Sequence, residues 1–242
     1  MLAPAILLAV TLGLLVWFAK DDVREYRRFK ALDRSRQRRA RYALWIWKQL
    51  AFFAVPALVG LALLGRGAAP LAMPSEFALL AGQLPDIGDS AGLALGAVIG
   101  GMIGGGILAA LLARRGRKPL QVGDISALLP RNRAELALCA LLSLSAGVTE
   151  ELMFRLWLPL LLVLLTGNGW IAFGVPVVIF GLMHRYQGAA GVAITTLIGA
   201  AMAFVYLASG SLLAAMAIHA ILDLNGLVLR PMLTGALRPA SD

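Results

Sequence analysis

The sequence predicts an all-α polytopic membrane protein, a bundle of about eight transmembrane helices. Three observations predict it. Hydrophobic residues make up 60% of the chain and charged residues only 14%, where a soluble globular domain carries about a quarter. Mean hydropathy is +0.82. Apolar runs recur along the chain between short polar or basic stretches, and roughly 20 such residues make a helix that crosses the hydrocarbon core.

The elements follow in order. Leu2–Ala19 is apolar but lacks a basic start and a convincing cleavage site, so it is expected to stay as the first span. Lys20 to Arg41 holds ten basic residues and four acids, a net of +6. This pattern is expected to be a solvated segment facing anionic headgroups. Tyr42–Leu64 is the second span, and Gly65 to Ser90, with a net of −2, is the loop after it. The third span is Ala91–Ala113, whose GGMIGGG run places Gly100/Gly104 and Gly101/Gly105 at a spacing that lets helices pack closely. The run follows no strand and has no lysine, which argues against a phosphate loop. Arg114 to Arg133 carries six basic residues against Asp124.

Five further spans are expected at Ala134–Phe154, Leu156–Thr166, Trp170–Met183, Gly188–Ser209 and Ser211–Leu229. The fifth and sixth spans in the chain are short, which suits a tilted or partly re-entrant course. The TGNG stretch at 166–169 reads as the tight turn between them. The chain thus divides into a three-span region at 1–133, a polar-poor bundle at 134–230 and a short tail at 231–242. The positive-inside rule puts both basic loops in the cytoplasm. With eight spans both termini lie outside, and Glu150 falls toward the outer side.

The net charge of +9 does not imply nucleic acid, because the basic residues gather between apolar spans; the partner they imply is the lipid bilayer. The single cysteine, Cys139, lies in an apolar run and reads as a small buried hydrophobe.

Chemistry is expected where charge survives inside hydrocarbon. Between Leu136 and Leu229 the only Asp, Glu, Lys, Arg or His residues are Glu150, Glu151, Arg155, His184, Arg185, His219 and Asp223. An ionisable group at the bilayer centre costs about 2.5–3.5 kcal/mol on insertion scales, so such residues face the bundle interior and mark function. Glu151 and Arg155 stand four apart on one helix and are expected to form an ion pair. Glu150 lies about 100° around the same helix and is left to point elsewhere. Phe180 and His184 repeat the spacing, as do His219 and Asp223, where Asp223 can accept from one imidazole nitrogen and fix the tautomer of His219. A carboxylate able to take a proton from water, with imidazoles nearby, is a hydrolytic set. The HExxH pattern of zinc proteases is absent.

EELMFR, FGLMH and HAILD fit the patterns EExxxR, FxxxH and HxxxN/D. In that order and setting, they resemble the CAAX-protease and bacteriocin-processing family of intramembrane endopeptidases, to which the type II CAAX prenyl endopeptidase belongs. The resemblance covers about residues 134–230. It implies that Glu150 activates water with support from Glu151 and Arg155, that His184 positions the water or shares the proton, and that His219 and Asp223 stabilise the oxyanion. The chain departs from the eukaryotic pattern at Asp223, where asparagine is usual; an ionised carboxylate accepts but does not donate, so Asp223 is expected to orient His219.

A metal-free glutamate mechanism is favoured, with no cofactor. The alternative is a zinc site of His184, His219 and Glu150 with one open position. The expected substrate is a protein or peptide with a membrane-associated tail, and the expected setting a bacterial or archaeal plasma membrane. Two other classes stay open: a proton-coupled transporter, since intramembrane acids and histidines also relay protons, and a non-catalytic scaffold or immunity protein.

Overall fold

The computed structural model describes residues 2–84 and 123–234, with scattered residues between 96 and 115 and residue 237. The third expected span and most of the second basic loop lie largely outside the described residues. All regular elements among the described residues are helical. Helix α1 (Leu2–Ala19) runs into α2 (Asp22–Lys30) across a one-turn break. Helix α3 (Ser35–Leu63) contains a widened π turn at Leu50–Ala54. Helix α4 (133–166) joins Arg133–Glu151, a π turn at Leu152–Trp157 and Leu158–Thr166 into one rod. Helices α5 (Gly169–Met183), α6 (Gly188–Ser209) and α7 (Leu212–Leu233) complete the bundle, and α7 holds a third π turn at Asn225–Leu229.

The expected boundary between the fourth and fifth spans is corrected here. Among the described residues four helices are long and apolar enough to cross a membrane: Leu2–Lys30, Ser35–Leu63, Arg185–Ser209 and Leu212–Leu233; Gly169–Met183 is apolar but shorter. The expected fourth and fifth spans are one helix, α4. At 1.5 Å per residue this rod is about 51 Å long, against a hydrocarbon core of about 30 Å. Glu150 and Glu151 therefore sit near the middle of a single helix and not at a span end. The charges had suggested a break, but nothing in this stretch ends a helix: Leu156 continues the rod and Pro159 falls in its next α-helical turn.

Local chemistry sets the ends. Asn132 caps α4 by accepting from the Glu135 N–H at 3.0 Å, and the Glu135 carboxylate accepts from the Arg131 N–H at 3.0 Å. Gly167 adopts φ +64° to close α4, and Asn168 caps α5, as the TGNG turn predicts. Gly210 (φ +67°) and Ser211 make the same device between α6 and α7.

The outer faces carry Leu2, Val16, Trp47, Leu63, Trp170, Leu197 and Leu213 in exposed positions. An unbroken apolar exterior of this kind is matched by lipid and not by water. With the apolar helices it makes the chain a multi-pass integral membrane protein. Inside, Phe53, Trp157, Leu158, Phe173 and Tyr206 belong to one core that joins α3 to α4, α5 and α6.

The basic segment 20–41 is not simply solvated. Most of it is helical, and Arg38 is fully buried. Its Nε donates to Glu135 at 3.0 Å, while Nη2 donates to the Tyr42 hydroxyl and the Ala127 and Leu129 carbonyls. Glu135 is also fully buried. A buried arginine needs a carboxylate and carbonyls to replace its lost water, and the partner here is nearly a hundred residues away, beyond any local pattern.

At Gly100, Gly101, Gly104 and Gly105 an added Cβ meets no described neighbour, so the described residues give these glycines no close-packing partner. Cys139 is buried, with its Sγ 3.7 Å from the Leu128 carbonyl.

Candidate active site

Helices α4 and α7 pack tightly because Gly147 on α4 has no side chain. A Cβ there would lie 2.7 Å from the Ala220 backbone nitrogen and 2.9 Å from its Cα. Backbone atoms cannot step aside as a flexible side chain can. This close approach brings His219 of α7 onto the glutamates of α4.

Glu151 is fully buried and bridges Arg155 and His219. Its Oε2 is 3.1 Å from Arg155 Nε, and its Oε1 is 2.6 Å from His219 Nδ1. The expected Glu151–Arg155 pair is therefore present, with His219 added to it. Arg155 also donates through Nη2 to the Gly199 carbonyl of α6 at 3.2 Å and stacks its guanidinium 4.4 Å above the Phe180 ring of α5. One ion pair thus ties together α4, α5, α6 and α7. Phe180 packs against the site itself, with its ring centroid 4.8 Å from His184 and 6.0 Å from His219.

The expected role of Asp223 is corrected. It does not hydrogen-bond His219: Asp223 Oδ2 is 3.8 Å from Nε2, whereas Glu151 takes Nδ1. The i,i+4 spacing brought the pair near, but the glutamate across the helix interface approaches closer. Nδ1–H is thus spent on Glu151, and Nε2 is turned toward Glu150 Oε2 at 3.9 Å and toward Asp223. Both distances exceed a hydrogen bond.

Glu150 points the other way from Glu151, as the helical offset requires. Its Oε1 accepts from the Gln49 side-chain amide of α3 at 3.3 Å. Its Oε2 has no hydrogen-bond partner among the described residues although Glu150 is only 8% exposed. His184 caps the end of α5 and donates through Nδ1 to the Phe180 carbonyl at 2.8 Å, which leaves Nε2 as the free ring nitrogen.

Glu150, His184, His219 and Asp223 line one cavity of about 400 Å³, together with Gln49 and with apolar walls that include Phe53, Phe154 and Leu222. Glu151 and Arg155 stand behind its wall. The six expected residues thus fall into four that face the cavity and two that support them. Gln49 was not expected: nothing in its local sequence marks it, since its partner is 101 residues away. Each π turn begins within two residues after a cavity-lining side chain, at Leu50 after Gln49, at Leu152 after Glu150 and at Asn225 after Asp223. Such wide turns recur at functional sites because they turn side chains out of the regular helical register.

The cavity lies toward the end of the bundle where the basic segments meet. Asp22, Glu25, Lys48, Tyr186 and Gln187 also line it. There the Tyr26 hydroxyl donates to the Asp124 carbonyl at 2.6 Å, and the Asp124 N–H donates to the Gln187 carbonyl at 2.9 Å. The Lys30 ammonium beside Asp124 holds its carboxyl below the usual carboxylate range. Glu150 and His184 meet on this cavity, Glu150 from the middle of α4 and His184 from the end of α5.

Among the described residues no group of three or more His, Cys, Asp or Glu side chains is placed to hold a metal ion. His184, His219 and Glu150 are therefore not gathered as a ligand set.

Replacing Gly147 by alanine is expected to push α4 from α7 and displace His219 from Glu151. A shift of about 1 Å costs on the order of 10²-fold in turnover, so the variant should fold less stably and lose whatever reaction the site performs. Wild-type turnover in G147A would show that the close approach does not set the geometry.

No curated protein and no solved structure matches the chain. Residues 132–225, which hold all six motif residues, match the family model described as Type II CAAX prenyl endopeptidase Rce1-like, a CAAX-protease family of the kind the motifs resemble.

Proposed function

We propose that the protein is an intramembrane endopeptidase that hydrolyses peptide bonds with a glutamate-activated water. The observation that carries this reading is Glu150, whose buried Oε2 has no hydrogen-bond partner among the described residues and which lines a cavity with His184, His219 and Asp223. A buried acceptor is costly to leave without a donor, and a water or a substrate N–H can supply one.

Glu150 takes a proton from water as its oxygen attacks the peptide carbonyl carbon, and later returns that proton to the leaving amine. His184, held through Nδ1, presents Nε2 to the cavity and steadies the water. His219, held by Glu151, presents Nε2, which in its charged form donates to the tetrahedral oxyanion. Asp223 is an acceptor near Nε2. The apolar cavity within a lipid-facing bundle suits a peptide with a membrane-associated tail. The joining of the basic segments at the cavity end supports an opening on the cytoplasmic side. This replaces the outer placement, which had counted α4 as two spans. The setting this implies is a bacterial or archaeal plasma membrane.

The test is cleavage of a quenched fluorescent peptide library by purified protein in liposomes, for wild type, E150A and H184A, with and without chelator. Activity that both substitutions abolish and chelation spares supports the glutamate mechanism. Loss on chelation with recovery on added zinc moves it to a metalloprotease. Inactive wild type, with proton flux that depends on Glu150, would replace the protease reading by a proton-coupled transporter.

A further inference from the structure

Two buried acceptors without a donor belong to residues that line the same cavity. Glu150 Oε2 is one and Gln49 Oε1 is the other; neither has a hydrogen-bond partner among the described residues. Both residues are only 8% exposed, and both line the cavity. They are already joined by the 3.3 Å bond from Gln49 Nε2 to Glu150 Oε1. The amide nitrogen must face the carboxylate, since the carboxylate only accepts; the amide oxygen is thereby turned to the other side. Two unpartnered acceptors on hydrogen-bonded neighbours suit a molecule with two donor protons, and water is the smallest such molecule. A bridging water needs a polar site with two or more partners, and this one has them.

Resting on the hydrolase reading above, we infer that Gln49 is a positioning residue of the reaction: it fixes Glu150 through its amide N–H and holds the hydrolytic water through its amide oxygen. One water proton points to Glu150 Oε2 and the other to Gln49 Oε1. The lone pairs of the water oxygen are then left for the carbonyl carbon. On attack, the first proton passes to Glu150, the new carbon–oxygen bond forms and the carbonyl π pair moves onto its oxygen. The second proton stays on the attacking oxygen and is held by Gln49. When the carbon–nitrogen bond breaks, Glu150 returns its proton to the amine and the acyl product leaves as the acid. Gln49 lies on α3, outside the segment 132–225 that matches the protease family, so the first half of the chain supplies part of the site.

The experiment compares wild type, Q49L, Q49M, E150Q and the double variant Q49L/E150Q in liposomes, on one cleaved peptide. Q49L and Q49M are expected to lower kcat by about 10²-fold with KM and melting midpoint unchanged. In the double variant the Q49L effect should shrink, because both residues act on one water. A wild-type kcat in Q49M, or a Q49L loss equally large with Glu150 and without it, overturns the inference while leaving the protease reading intact. A wild type that cleaves nothing overturns the protease reading instead.

Discussion

Replacing Glu150 by glutamine is expected to lower turnover by about 10²–10⁴-fold, the usual contribution of a positioned general base, and to leave the melting midpoint nearly unchanged. Glutamine keeps the size and shape of the side chain. It loses only the ability to take a proton from a water in the cavity. The carboxylate makes one hydrogen bond, to Gln49, and no ion pair within hydrogen-bond reach, so little stability depends on its charge. Glu151 provides the contrast. The same change there removes the charge that sits between Arg155 and His219, and it should lower stability and turnover together. Turnover on the best library peptide and thermal unfolding in detergent separate the two. If E150Q cleaved at the wild-type rate, Glu150 would not be the base.

Replacing Arg155 by methionine is expected to destabilise the bundle by about 3–5 kcal/mol, the cost of breaking a buried pair from one side. Glu151 would be left charged, fully buried and without its main partner. The Gly199 carbonyl would lose its donor and Phe180 its stacked cation, which loosens α5 and α6 from α4. Turnover should fall as well, because His219 depends on Glu151 for its orientation. The variant with both R155M and E151L should regain stability, since an apolar pair of similar volume replaces the ion pair without leaving a lone charge. It should remain inactive, because nothing then holds His219 Nδ1. Unfolding midpoints of the three proteins measure this; an R155M protein as stable as wild type would mean that the pair does not brace the bundle.

By itself the sequence determined the helical membrane class, because hydropathy is a local property and needs no partner to be read. It also singled out the residues that the proposed chemistry uses. Few side chains between 136 and 229 ionise, so Glu150, Glu151, Arg155, His184, His219 and Asp223 stood out by rarity alone. Spacing within one helix predicted the Glu151–Arg155 pair and the opposed directions of Glu150 and Glu151, since both follow from 3.6 residues per turn. Tertiary packing decided everything that crosses between helices. The Gly147–Ala220 approach hands His219 to Glu151 and leaves Asp223 at 3.8 Å. Arg38 is buried against Glu135 where its neighbours had promised solvent. Gln49 reaches Glu150 from another half of the chain. The continuity of α4 is of the same kind: Glu151 and Arg155 pair within it, while His219, Gln49 and the Gly199 carbonyl on other helices meet its remaining polar groups, and the interior closes around one uninterrupted rod.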